Sequence, residues 1–192
     1  MIFVTVGSQA PFDRLIVAVD QWARSRARSD VFAQIASSKL QPGNIKFTQF
    51  IEPSEFPRVM QEARLIVAHA GMGSIISALE LGKPIVVMPR RADLRETRNN
   101  HQVATAARFG EREGVIVASG EQDLPAKLDY ALTLGETKRI HSQASPHLIA
   151  TIRAFLEDPL HPPEPVIVGE RGEQGSDPCT GVTGSRNRQQ CF

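Results

Sequence analysis

The residues best suited to chemistry lie in one short segment, HAGMGS at residues 69–74. An apolar run precedes it and a helical pattern follows, so the segment predicts a turn from a strand into a helix. The N-terminus of a helix has free backbone N–H groups and a partial positive charge, and Gly71 and Gly73 leave room there for an anion. Ser74 can cap the helix or donate to a phosphate oxygen, while His69 adds a donor. The segment therefore indicates a diphosphate site or, equally, a tight turn in which His69 satisfies a backbone carbonyl.

Other nucleotide and metal motifs do not fit the sequence. The dinucleotide fingerprint G-x-G-x-x-G needs a glycine where Ile76 stands, and a P-loop needs Gly-Lys-Ser/Thr at a spacing that is not found. We therefore expect neither NAD nor ATP. No D-x-D pair lies near the turn and there is no His/Cys cluster, so we expect no cofactor and no metal. The two cysteines, Cys179 and Cys191, fall near the end of the sequence, which suits a reducing cytosol.

A second polar segment, residues 89–102, follows the next predicted strand. Its charged part contains Arg90 and Arg91, whose guanidinium groups can neutralise a leaving diphosphate or an acidic donor sugar. A charge-rich surface loop explains the same residues. His101 can contact a ligand, or it can cap the next helix together with the two asparagines before it. The sequence leaves both interpretations open for each of these residues.

The elements that must position these residues alternate along the chain. Short β-branched apolar runs alternate with patterns of helical period, which predicts an α/β domain with a Rossmann-like, doubly wound parallel sheet. In such a sheet, ligands bind beyond the carboxyl ends of the strands. We predict strands at residues 2–6, 31–35, 45–51, 65–68, 85–88 and 115–118. We predict helices at residues 12–23, 74–81, 100–109, 123–134 and 137–156, and a short helix after Pro53. The helix at residues 137–156 should be interrupted at Pro146.

Composition and charge limit the organisation of the chain. Its 192 residues, 41% of them hydrophobic, carry a formal net charge of +1, which is typical of neither a nucleic-acid binder nor a disordered protein. We predict one Rossmann-like domain at residues 1–157 and a disordered tail at residues 158–192, where prolines and glycines replace periodicity. There is no basic leader and no apolar run of roughly 20 residues, so we expect any membrane attachment to be peripheral.

Two stretches of the sequence resemble a known family. The segment HAGMGSIISALELGKPIVVMPR, with NNHQ after it, resembles the glycosyltransferase family 28 C-terminal domain, the donor-binding half of MurG-like GT-B enzymes. The start, FVTVGSQAPFDRLI, is similar to the free-standing one-domain members of that family. These include PssE-type subunits of bacterial exopolysaccharide synthesis and the soluble subunit of the eukaryotic transferase that adds the second N-acetylglucosamine to dolichol-diphosphate. The resemblance covers about residues 1–155 and implies the C-terminal half of a GT-B glycosyltransferase.

The resemblance also implies roles for the matched positions. The turn residues would hold the diphosphate of a nucleotide sugar, a polar pair would lie near the donor sugar, and a glycine-rich floor would lie beneath it. The glutamate that commonly binds the ribose hydroxyls falls at Ser77, and Glu80 lies one helical turn later, so a strict preference for UDP is not implied. The matched residues are His69, Gly71, Gly73 and Ser74 for the diphosphate, His101 and Gln102 for the sugar, and Gly7 and Ser8 for the floor.

The function implied is transfer of a sugar, with inversion, from a nucleotide-diphosphate donor such as a UDP-sugar to a polyprenyl-diphosphate-linked acceptor. This places the chain in exopolysaccharide or lipid-linked glycan synthesis, in the cytoplasm at the inner face of the membrane. We expect a membrane-associated partner subunit to supply the acceptor-binding half and the catalytic base, and we expect no nucleic-acid partner. Two alternatives are a non-catalytic nucleotide-sugar-binding subunit that regulates a partner, and a complete small epimerase or hydrolase.

An apolar stripe near the end of the predicted domain has two interpretations. Its members recur at helical spacing, which indicates one buried face of a helix. That face can pack against the partner subunit or against the sheet of the chain itself. The stripe consists of Leu148, Ile149, Ile152, Phe155 and Leu156.

Overall fold

The computed structural model of the protein describes residues 1–140 and 144–157. The predicted tail, residues 158–192, lies outside the described residues. The strands are β1 (Ile2–Thr5), β2 (Val31–Gln34), β3 (Lys46–Thr48), β4 (Leu65–His69), β5 (Ile85–Met88) and β6 (Val115–Val117). The helices are α1 (Asp13–Ser25), α2 (Phe56–Glu62), α3 (Met72–Leu81), α4 (His101–Phe109), α5 (Leu124–Ala131) and α6 (Pro146–Glu157).

The six strands form one parallel sheet in the order β3-β2-β1-β4-β5-β6. The chain builds outward from β1 to β3 and then returns to place β4 on the other side of β1. This reversal confirms the predicted doubly wound, Rossmann-like fold. It also creates a topological switch point between β1 and β4, where open α/β sheets bind their ligands.

Helices cover both faces of the sheet because successive strand residues point to opposite sides. On β1, Ile2 and Val4 pack in one apolar cluster with α1 and α5, whereas Phe3 packs in the other with α2, α3 and α4. The Phe3 ring stacks on Phe32 and meets the edge of Phe56 at ring-centre distances of 6.2 and 5.7 Å. Both faces of the central strands are therefore buried, as their unbroken apolar runs predict.

The predicted helix at residues 137–156 is wrong in its first part. Residues 137–140 form an irregular segment in which the Thr137 N–H donates to the Gly82 carbonyl at 2.9 Å. Thr137 also fills the space beside Gly114, where an added Cβ would lie 2.8 Å from its hydroxyl oxygen. These contacts with distant residues satisfy the segment and override its helical pattern. The third strand is also shorter than predicted, ending at Thr48 instead of residue 51.

Helix α6 belongs to a second unit that begins at Ala144, separate from the unit Met1–Gln143 that contains the sheet. It begins at Pro146, a residue that is well suited to the first turn of a helix. Every residue of its apolar stripe is exposed, so packing of the stripe against a partner or against the sheet stays a prediction. Among the helices of residues 1–140 and 144–157, none is long and apolar enough to cross a membrane.

Candidate functional site

A cleft of about 780 Å³ opens at the carboxyl ends of β1, β4 and β5. The turns after β1 and β4 form one side of it, and the loop after β5 with the start of α4 forms the other. The fold thus brings nine of the residues singled out in the sequence to one place, although their positions span much of the chain. These nine residues are Gly7, Ser8, His69, Gly71, Gly73, Ser74, Arg90, His101 and Gln102.

The His69 side chain lies between two glycines at the floor of the cleft. A Cβ at Gly7 would lie 2.9 Å from the His69 Cε1 atom, and a Cβ at Gly71 would collide with its Nε2 atom. Gly7 also has a φ of +81°, which residues with a side chain rarely adopt. Gly7 and Gly71 are therefore required by the packing of the protein itself.

Gly73 differs from these two glycines because an added Cβ would meet no atom within 4 Å. It lies in the first turn of α3. Glycine is an unfavourable residue in a helix, and in a helix interior it is less favourable than alanine by roughly 0.5–1 kcal/mol. No packing contact among the described residues explains a glycine at this position. Its open surroundings face the cleft, where a bound group can approach the backbone closely.

The first turn of α3 presents its backbone donors to the cleft. Gly71 is the N-cap and offers no side-chain cap, and the first backbone hydrogen bond within α3 runs from the Ile75 N–H to the Gly71 carbonyl at 3.2 Å. The N–H groups of residues 72–74 consequently have no backbone acceptor among the described residues. Ser74, which we considered as a cap, lies inside the helix and lines the cleft with its hydroxyl available to a ligand.

Burial shifts the ionisation of His69. Loss of solvent, and then the nearby charge of Arg90, lower the pKa of His69 from 6.5 to about 4. The ring is therefore neutral at neutral pH and carries one N–H. Its Nδ1 atom is buried and makes no hydrogen bond of good geometry among the described residues, although the backbone of Thr5 lies close enough to offset part of the lowering of the pKa. A neutral imidazole here can donate to a ligand but adds no charge.

Arg90 is buried, with 5% of its surface exposed, so the surface-loop interpretation is wrong for this residue. Its guanidinium donates to the carbonyl of Val6 at 2.9 Å and to that of Ala10 at 2.8 Å, and it also bonds the Pro11 carbonyl. It lies 4.7 Å from the centre of the Phe12 ring, and burial lowers its pKa. Arg90 thus holds the loop after β1 and adds a positive charge behind the floor of the cleft.

The neighbouring Arg91 fits the surface-loop interpretation. Its side chain is exposed and pairs with Asp93, with 2.6 Å between the Arg91 Nη2 and Asp93 Oδ2 atoms. Arg91 is not among the residues that line the cleft. The two adjacent arginines therefore have different positions, and only Arg90 contributes to the site.

The two polar residues at the start of α4, His101 and Gln102, differ in their exposure to solvent. Gln102 is buried, and its Oε1 atom accepts a hydrogen bond from the Arg90 backbone N–H at 3.1 Å. His101 is exposed at the cleft, and its backbone N–H donates to the Asn99 side chain at 3.1 Å. The same Asn99 oxygen contacts the His101 Nδ1 atom, so Asn99 satisfies a donor at this end of the helix and holds the His101 ring at the rim of the cleft.

Several further lining residues belong to the loops after β1 and β5. Those after β5 lie in the charged and polar segment at residues 89–102 that the sequence had indicated. Those after β1 were not singled out, and their place beyond a strand end was the only available signal. Neither Ser77 nor Glu80 lines the cleft, and within residues 1–140 and 144–157 no three His, Cys, Asp or Glu side chains lie close enough to hold a metal ion. The additional lining residues are Val6, Gln9, Ala10, Glu96, Thr97, Arg98 and Asn99.

Comparison with known proteins gives a family match over most of the chain. The model of the glycosyltransferase family 28 C-terminal domain matches residues 1–148. The "UDP-N-acetylglucosamine transferase subunit ALG13" of Yarrowia lipolytica is 27% identical in an alignment 140 residues long that covers 64% of this chain and 66% of that protein.

A bacterial enzyme and a solved structure are also similar. The "UDP-N-acetylglucosamine--N-acetylmuramyl-(pentapeptide) pyrophosphoryl-undecaprenol N-acetylglucosamine transferase" of Parasynechococcus marenigrum is 27% identical over 104 residues, 54% of this chain and 28% of that enzyme. The solution structure of ALG13 superposes with a TM-score of 0.50 and 20% identity, covering 82% of this chain and 95% of that one. The chain thus spans about a quarter to two thirds of these curated relatives, and the superposition supports the fold.

Proposed function

The chain belongs to the glycosyltransferase family 28 C-terminal domain family, and from this we propose that its cleft binds the nucleotide-diphosphate sugar used in glycosyl transfer. The observation that carries the proposal is the open first turn of α3. Its backbone N–H groups lack a partner among the described residues, and Gly73 leaves the approach to them free. Such a turn suits a diphosphate because it combines free donors with the positive end of a helix.

Each group around the turn can stabilise a departing diphosphate. The backbone donors and the Ser74 hydroxyl form hydrogen bonds to its oxygens, and the neutral His69 ring adds another. The buried charge of Arg90 acts from behind the floor. Charge develops on the leaving group in the transition state, so donors that are already fixed in place lower the barrier. We propose that no metal ion is needed for this step.

We propose a UDP-sugar as donor because both curated relatives carry names that refer to UDP-N-acetylglucosamine. The bacterial relative is named for a pyrophosphoryl-undecaprenol acceptor, which supports a polyprenyl-diphosphate-linked acceptor for this chain as well. Such an acceptor belongs to exopolysaccharide or lipid-linked glycan synthesis. It would bring the protein to the inner face of the membrane.

A partner subunit is proposed to supply the acceptor-binding half and the base. The family model describes a C-terminal domain, and the Yarrowia relative is named a subunit. Three lining residues carry a group that could act as a base, and each is limited: His69 has a pKa of about 4, Glu96 is bonded to Arg14, and the His101 ring at the rim contacts the Asn99 side chain. These observations favour transfer by a pair of subunits.

Donor binding can be tested first and transfer activity second. A thermal-shift panel of nucleotide sugars, followed by calorimetry, is expected to identify UDP-sugars as ligands of the purified chain. The chain alone is expected to leave the donor intact, and transfer to a lipid acceptor is expected only after a partner is added. Transfer by the chain alone would refute the two-subunit proposal, and donor turnover without acceptor would point to a hydrolase or epimerase.

The reconstituted pair separates a catalytic from a regulatory role. We expect His69→Ala to lower transfer more than it lowers donor binding, because the backbone donors remain while stabilisation of the departing charge is lost. Unchanged transfer by a pair containing His69→Ala and Gly73→Val together would show that the cleft is not the donor site, leaving the chain a non-catalytic subunit.

A further inference from the structure

The loop between β5 and α4, residues 89–100, supplies Glu96, Thr97, Arg98 and Asn99 to the cleft without forming a helix or strand. Such a loop needs contacts from elsewhere to keep one conformation. Arg14, in the first turn of α1, provides an ion pair and a hydrogen bond to this loop. Arg14 is not among the residues that line the cleft.

Arg14 binds the loop through a bidentate ion pair with Glu96. Its Nε and Nη2 atoms lie 2.7 and 2.9 Å from the two carboxylate oxygens of Glu96. The same guanidinium donates to the Pro89 carbonyl at 3.1 Å and to Glu121 at 2.9 Å. The side chains of Arg14 and Glu96 are only 15% and 14% exposed, so solvent screens their interaction weakly.

Glu96 also organises its own loop. Its Oε2 atom accepts the Arg91 backbone N–H at 2.9 Å, so the carboxylate joins the start of the loop to α1. Glu96 is the one carboxylate among the described residues that line the cleft. A carboxylate released there would face any anionic ligand and repel it.

We propose that Arg14 is a positioning residue that keeps Glu96 paired and the loop in place, so that the cleft accepts a diphosphate. This inference rests on the proposed function, because it assumes that the ligand of the cleft is anionic. Arg14 acts on the ligand through Glu96. Removal of the Arg14 side chain should therefore lower the affinity for a ligand more strongly the more negative charge the ligand carries. Removal of the Glu96 charge as well should restore much of the lost affinity.

A second ion pair of α1 provides the matched control. Arg26 binds Asp129 of α5, with 2.7 Å between the Arg26 Nη2 and Asp129 Oδ2 atoms. Both partners are more exposed than those of the Arg14 pair, and neither lines the cleft. Loss of this pair changes the contact between two helices but leaves the charge of the cleft as it is.

The experiment measures UDP and uridine affinity by calorimetry in the full chain and in Arg14→Met, Glu96→Gln, the double variant and Arg26→Met. We expect Arg14→Met to lower UDP affinity by about tenfold and uridine affinity by less than about twofold, because only UDP carries charge. The double variant should recover most of the UDP affinity. Arg26→Met should bind UDP like the unmodified chain.

The outcomes distinguish this inference from the proposed function. If the unmodified chain fails to bind UDP, the proposed function fails and the inference with it. If the unmodified chain binds UDP but Arg14→Met binds it equally well, the inference alone is wrong. Equal losses for UDP and uridine with no recovery in the double variant would show a merely structural role. If Arg14→Met does not fold, Arg14→Lys replaces it, with a smaller loss of UDP affinity expected and the same recovery by Glu96→Gln.

Discussion

The sheet has glycines at both of its ends, and the two sets have different neighbours. At the amino-terminal end, Gly82 and Gly114 have φ angles of +66° and +88°, and the chain segment around Thr137 fills the space beside them. At the carboxyl end, Gly7 and Gly71 are packed against His69 in the same way, whereas Gly73 has nothing within 4 Å of its Cβ position. Four glycines therefore serve the packing of the protein, and the fifth leaves space that the protein does not use.

This difference separates a closely packed glycine from an open one within one short motif. In the segment at residues 69–74, Gly71 and Gly73 look equivalent in the sequence, two residues apart in a turn. In the structure, one is closed by an imidazole and the other is open to the cleft. The open glycine should control ligand binding, and the closed ones should control stability.

The largest expected effect is on ligand affinity in Gly73→Val. The branched side chain would occupy the space in which a diphosphate approaches the first turn of α3, so we expect UDP affinity to fall by at least about 100-fold, or about 2.7 kcal/mol. Calorimetry measures the affinity, and a thermal unfolding curve checks that the variant is folded. The control is Gly43→Val, since Gly43 also has nothing within 4 Å but lies outside the cleft. Unchanged UDP affinity in folded Gly73→Val would remove the turn from the site.

Gly114→Ala should show the opposite pattern. Its φ of +88° is strained for alanine, and the new Cβ would lie 2.8 Å from the Thr137 hydroxyl. We expect the free energy of unfolding to fall by about 2 to 3 kcal/mol, with the UDP affinity of the folded protein unchanged. Urea unfolding and calorimetry measure the two quantities. A stable Gly114→Ala protein would mean that this end of the sheet is not closely packed.

The partly buried His69 ring should make stability depend on pH. The unfolded chain binds a proton at His69 near pH 6.5, whereas the folded chain binds it only near pH 4. Between these values the unfolded state binds more protons, so stability falls as the pH falls. From pH 7 to pH 5 we expect a loss of about 2 kcal/mol.

Urea unfolding of the unmodified chain and of His69→Gln at both pH values measures this contribution. The glutamine variant should lose less stability over the same interval, because it has no group at this position that titrates there. An identical loss in the two proteins would show that His69 is not buried in its neutral form.

The smallest expected effect is a gain of stability in Gly73→Ala. Alanine is the better residue in a helix, and its methyl group would meet no atom of the described residues. Since Gly73 lies in the first turn, we expect a stabilisation of at most about 1 kcal/mol, the value for a helix interior. Differential scanning calorimetry measures the change. Destabilisation would indicate that Gly73 has a packing role, and the contrast between the two kinds of glycine would then be lost.

Much of the fold could be predicted from the sequence because the spacing of apolar residues along a short stretch indicates both burial and the type of secondary structure. Apolar runs and helical periods predicted six parallel strands and helices on both faces, and the structure confirms them. Each run is bounded by glycine, proline or polar residues close to where the strand ends. The segment at residues 137–140 was mistaken for helix because its backbone donors are satisfied by α3, far away in the sequence.

The sequence predicted where the candidate site lies better than it predicted what each residue of the site does. The carboxyl ends of parallel strands meet at one edge of a sheet, and all nine residues, which lie at strand ends or in the loops and helix starts that follow, line the cleft at that edge. Their proposed contacts with a donor remain predictions. Nothing local indicated that Arg90 would turn inward to three backbone carbonyls while Arg91 faces solvent.

By itself, the sequence determined the alternation of strands and helices, the turn at residues 69–74 and the family. Those features depend on residue type and spacing along a short stretch of chain. The tertiary structure decided which glycines are closed and which one is open, and which carboxylate of the cleft is paired. Arg14 and Glu96 are 82 positions apart. Only the return of the chain across the sheet, which places β4 and β5 on the far side of β1 from β2, brings their opposite charges into contact.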